Sequence, residues 1–70
     1  MKKHPLTKYR EKHKLSLREF GLLVRVQKAA VHKWESGAIK PSIESAKLVD
    51  AVTGGAVPKH VLRPDVWGAP

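Results

Sequence analysis

The residues best suited to chemistry lie in one short run, Gln27-Lys28-Ala29-Ala30-Val31-His32-Lys33-Trp34. Gln27, Lys28, His32 and Lys33 carry hydrogen-bond donors, and the two lysines add positive charge. At 3.6 residues per turn, Lys28, Ala29, His32 and Lys33 fall on one side of a helix, with Ala30, Val31 and Trp34 on the other, and Gln27 joins the exposed set at the helix start. Long donors beside a small residue suit the reading of a polyanion. Ammonium groups meet phosphates, amide and imidazole groups meet base edges, and Ala29 allows close approach or meets a thymine methyl. No comparable set exists for catalysis. The six Asp and Glu residues offer no pair beyond capping and ion-pairing roles, and an enzyme is not expected. His4, His13, His32 and His60 lack i, i+4 spacing and there is no Cys, so no metal or other cofactor is expected either.

Short helices must hold that face outward. Leu6, Tyr9 and His13 recur at i, i+3 and i+7, which predicts a first helix from near Pro5 with His13 as a packed residue. Ser16-Leu17-Arg18-Glu19 matches a capping box and predicts a second helix beginning at Leu17. Its inward stripe is Phe20, Gly21 and Val24, where a small residue at 21 admits a close neighbour, and a turn falls near Arg25-Val26. The third helix is predicted from about Lys28 to Ser36, capped by the Gln27 side chain or by backbone and water, and ended by Gly37. Ser42 then caps a fourth to about Thr53, burying Ala46 and Val49 with help from Ile43, Leu48 and Val52. Gly54-Gly55 closes it. The stretch from Pro58 to Trp67 permits a turn or two of helix, interrupted by Pro64. The expected fold is therefore all-α, four to five short helices in a single domain over 1–70. The helix-turn-helix occupies about 17–36, and the tail, 56–70, packs on the core or on a dimer partner.

The composition supports such a domain. Among 70 residues, 14 Lys and Arg oppose 6 Asp and Glu, giving a net charge of +8. With 41% apolar residues the chain is too hydrophobic for disorder, and its basicity favours a polyanionic partner. No run approaches the roughly 20 apolar residues of a membrane span, so a protein of the cytoplasm with no membrane partner is expected. Lys14, Arg18 and Lys40 are phosphate-contact candidates on charge alone. Trp34 reads as core by its spacing from Ala30 and Val31, whereas Trp67 suits either its own core or a second subunit.

Leu15-Ser16-x-x-Glu19-Phe20-Gly21-x-x-Val24-x-Val26, followed by Ala30-Val31-x-x-Trp34-Glu35-x-Gly37-x-x-x-Pro41-Ser42, resembles the lambda-repressor-like, xenobiotic-response-element (XRE) helix-turn-helix family. The likeness covers residues 6 to 53. Thr53-Gly54-Gly55 through Arg63-Pro64-Asp65-Val66-Trp67 is similar to the ending of small Cro-like and YdaS-like phage or prophage regulators. The resemblance implies a lambda-repressor-like fold and a five-helix repressor that binds double-stranded DNA as a homodimer in the cytoplasm of a bacterial or phage-infected cell, at the nucleoid. It places Gln27 and Lys28 at the start of the recognition helix and Ala29, His32 and Lys33 at base or phosphate contacts. Lys40 and Ser42 then become phosphate contacts, and Arg10 pairs with Glu35 as a structural ion pair; Ser16, at the start of the second helix, is a further phosphate-contact candidate.

The chain departs from the family pattern in three respects. Arg25 replaces the turn glycine, which implies a non-glycine residue at positive φ or another turn geometry. Leu17 stands where a phosphate-binding Gln is common. Leu22 and Leu23 are apolar on a face expected to be wet, which suggests an additional association surface. An alternative role follows from them: an antitoxin-like module that binds a partner protein through Leu22, Leu23 or the tail and regulates its own operon.

Overall fold

The structure, a computed structural model, describes residues 3–68; the first two and last two residues of the expected 1–70 domain lie outside it. Helix α1 (Pro5–Lys12) begins with proline in its first turn. Its cap is His4, whose Nδ1 accepts the Leu6 N–H at 3.1 Å. His13 does not serve as a packed helical residue: it is the exposed C-cap, its ring lying 4.3 Å from that of Tyr9. The chain leaves α1 through Lys14 at φ 55°. Helix α2 (Leu17–Leu23) opens with the predicted capping box. Ser16 Oγ accepts the Glu19 N–H at 3.0 Å, and Glu19 accepts the Ser16 N–H at 2.8 Å.

Helix α3 (Lys28–Ser36) has an extended Gln27 before it, and the Gln27 side chain makes no capping bond, contrary to one expectation. The Gln27 carbonyl instead begins the helical ladder by accepting the Ala30 N–H at 3.0 Å. Gly37 ends α3 in the left-handed region at φ 80°. Helix α4 (Ile43–Val52) is capped by Ser42 Oγ, which accepts the Ser45 N–H at 3.1 Å. Ile43 is exposed and not part of the core, because it lies about 90° round the helix from the centre of the Ala46 and Val49 stripe. The tail forms two single turns, α5 (Lys59–Leu62) and α6 (Pro64–Trp67), so the described residues form six helices where four to five were expected. Pro64 lacks an N–H to continue the ladder and starts a new turn after Arg63 leaves helical geometry.

One core joins these elements. Leu6, Phe20, Val24, Val31, Trp34, Ala46, Val49, Val57 and Leu62 are buried together, with Tyr9, Leu15, Leu17, Ala30 and Trp67 packed at its margin. The tail therefore contributes to the chain's own interior. Buried Thr53 donates to the Val49 carbonyl at 2.8 Å and accepts the Val57 N–H at 3.1 Å, turning the chain back after α4. Asp50 accepts the Lys59 N–H at 2.9 Å, and Arg63 donates to the Pro41 carbonyl at 3.1 Å. Lys59 Nζ stands 5.2 Å from the centre of the Trp67 ring, a cation–π distance.

Candidate nucleic-acid interface

The packing of α2 on α3 starts from a missing side chain. A Cβ on Gly21 would sit 2.6 Å from the Val26 carbonyl oxygen, so only glycine lets the incoming turn approach this closely. The Val26 N–H in turn donates to the Gly21 carbonyl at 2.9 Å. Between them Arg25 adopts φ 61°, the left-handed geometry that the family's glycine would take without strain. Arg25 is exposed, so the outer part of its side chain extends into solvent, while its Cβ bears the steric strain of the left-handed region. The next residues then enter α3 with a fixed rotation about its axis.

That rotation is locked by Val31, 0% exposed, and Trp34, 4% exposed. Lys28, Ala29, His32 and Lys33 are left exposed over about 140° of arc, with exposed Gln27 just before them. The only carboxylate of α3 is withdrawn from this face. Glu35 accepts from Arg10 Nε at 2.9 Å, from Arg10 Nη2 at 3.1 Å and from the Thr7 hydroxyl at 2.8 Å. Its side chain is only 10% exposed. Burial pushes the Glu35 carboxyl up, but hydrogen bonds from Arg10 and Thr7 and the Arg10 charge outweigh that and hold it below its ordinary value. Arg10 also donates to the Leu15 carbonyl at 3.1 Å and so ties α1, the loop after it and α3 together. Sequence reasoning missed Thr7 and the His4 cap. Thr7 lies one turn before Arg10, so helical spacing held the signal; the His4 cap had none, since histidine is not a favoured capping residue.

The phosphate candidates are all exposed but are not equally placed. Arg18 shares a groove with Gln27 and Lys28, so the start of α3 and one cation of α2 form a single surface. Ser16 and Ser42 each accept a backbone N–H through Oγ, which leaves the hydroxyl proton available to an outside acceptor. Lys40 lies in the loop after α3, on the side of the tail, where its charge acts on Asp65. Hydrogen bonds from Arg63 are the main reason that Asp65 is lowered to about 2. Lys14 lies in the loop between α1 and α2, outside the Arg18 groove. Leu17 packs against the core margin, which accounts for an apolar residue at the first position of α2.

Two buried faces meeting at Gly21, a tight turn and an outward second helix define a DNA-binding domain of the helix-turn-helix class. A sequence model of the family described as Helix-turn-helix matches residues 6–57, and the chain belongs to this family, in its XRE-type branch. It is a DNA-binding transcription regulator by that membership. The curated proteins and the solved structures contain no significant match to the chain. Among the described residues no helix is long and apolar enough to cross a membrane, and no group of three or more His, Cys, Asp or Glu side chains clusters as a metal site would.

Proposed function

We propose that the protein is a Cro-like repressor that binds an inverted-repeat operator as a homodimer, with α3 of each copy in the major groove. The observation that carries this reading is the two-sidedness of α3. Its apolar side is fixed in the core, its carboxylate is turned inward to Arg10, and its exposed side holds only donors, cations and alanine. Lys28, His32 and Gln27 serve as base readers, Ala29 sets the closeness of approach, and Lys33 meets base or phosphate. Lys14, Ser16, Arg18, Lys40 and Ser42 hold the backbone on either side. The two copies of α3 then lie roughly 34 Å apart, one turn of duplex.

Selection of binding sites from random duplexes tests this. The expected product is an inverted repeat with fixed half-site spacing, bound with an affinity that falls steeply between about 50 and 200 mM salt. Lys40→Ala should reduce the salt slope by about 1 without changing the selected sequence, whereas Lys28→Ala should relax it at one position. Selection of no common sequence refutes the reading. A second reading, an antitoxin-like module with a protein partner, draws on Leu22 and Leu23, exposed at 69% and 48%.

A further inference from the structure

Leu22 is the most exposed of the large apolar side chains among the described residues, at 69%. With Val26 it forms the apolar floor of a groove of about 400 Å³ whose other walls are Arg18, Gln27 and Lys28. Two cations therefore flank an apolar hollow, and no carboxylate lines it. In helix-turn-helix docking the helix before the recognition helix crosses the sugar–phosphate backbone. Phosphate satisfies Arg18 and Lys28 but gives Leu22 nothing, since its transfer from water requires an apolar counterpart. A peptide bearing both carboxylates and an aliphatic or aromatic side chain satisfies every wall of the groove at once.

We propose that this groove binds an acidic protein segment, with an apolar side chain seated on Leu22 and Val26 and carboxylates on Arg18 and Lys28, and that the bound segment excludes DNA. The exclusion follows because Gln27 and Lys28 belong to the groove and to the start of α3 alike, so one set of donors faces two competing anions. This clause rests on the DNA-binding orientation of α3 proposed above. The protein partner is then an antagonist of operator binding, and the contact needs no change of fold.

The test uses the full chain, immobilised, and a displayed library of random peptides eluted in parallel by operator duplex and by acid. The expected duplex-eluted pool is enriched in Asp and Glu beside Leu, Ile or Phe. A synthetic peptide of that pool should lose at least about tenfold in affinity for Leu22→Ser, as expected for one leucine withdrawn from an apolar contact. The same variant should bind the duplex within about twofold of wild type, since phosphate contacts of α2 are made by polar groups. An unchanged melting temperature shows that Leu22→Ser is folded. Enrichment of peptides without acidic residues, peptide binding indifferent to Leu22→Ser, or peptide and duplex held together in one complex overturns the proposal. So does an equal loss of duplex and peptide binding, which assigns Leu22 to DNA. If wild type binds no duplex but holds an acid-eluted peptide through Leu22, the DNA reading fails and the groove stands.

Discussion

Replacing Glu35 with alanine should remove a large share of this domain's stability. The carboxylate accepts two hydrogen bonds from Arg10, at 2.9 and 3.1 Å, and one from Thr7 at 2.8 Å. Hydrogen bonds to a charged group contribute roughly 1.5–3 kcal/mol. Breaking a fully buried pair costs about 3–5 kcal/mol, mostly by leaving its partner uncompensated. Here the side chains are 18% and 10% exposed, so water reaches the abandoned guanidinium in part. Arg10 also keeps its bond to Leu15. A loss of about 2–3 kcal/mol follows, against a total of about 4–10 kcal/mol for a domain of this size. Urea denaturation followed by the fluorescence of buried Trp34 measures it. A cycle with Arg10→Ala and the double variant should give a coupling of about 1.5–2 kcal/mol. A coupling below about 0.5 kcal/mol refutes the account, because the carboxylate would then be stabilised by something other than Arg10.

Four further outcomes follow from the geometry. Gly21→Val should lower stability by about 2–3 kcal/mol in a thermal melt, because even a Cβ there meets the Val26 carbonyl oxygen at 2.6 Å. Arg25→Gly should be neutral or stabilising by up to about 1 kcal/mol, since it relieves the left-handed strain at φ 61°, and a clear loss of melting temperature contradicts that. His4 lies below its ordinary 6.5, by burial first and against the opposing charge of Glu35, so its neutral form belongs to the folded state. Its contribution is complete above about 6.5 and is lost as pH falls through the lower folded value; His4→Ser should flatten that part of a stability-against-pH curve. Glu35 is also lowered, so its share is present above its ordinary 4.5 and disappears only in stronger acid, and Glu35→Gln should remove this second step.

The helices were legible wherever local chemistry acts alone. Ser16 and Glu19 announce the start of α2, Gly37 the end of α3, and Ser42 the start of α4, because each satisfies backbone groups within a few residues. Gly21 was legible as a point of close approach, though not as the neighbour of Val26 in particular. Tertiary choices were not written in the same way. Ile43 suits a core by type, yet the rotation of α4, set by Ala46 and Val49, leaves it exposed. His13 fits the apolar spacing of α1 but falls one residue past its end, where it caps the helix. The tail admitted two destinations for Trp67, and only Val57, Leu62 and the Arg63 bond to Pro41 show the path that brings it against the chain's own interior. On the candidate interface, the outward set of Lys28, Ala29, His32 and Lys33 was readable from period alone, and Gln27 from its place at the helix start; the inward bond of Glu35 rested on the family pattern, and Thr7 had to be seen in space.

Because Val31 and Trp34 fill the interior while Lys28, Ala29, His32 and Lys33 touch little of it, folding and preference are, under the proposed reading, assigned to different letters of the same helix. Under that reading, exchanges among the four outer positions redirect the domain to new targets with little penalty in stability, since surface changes of this kind usually stay within about 0.5 kcal/mol. A lineage carrying this scaffold would then be free to diversify its targets quickly, and a designer would retarget it by varying those four positions while leaving the interior untouched.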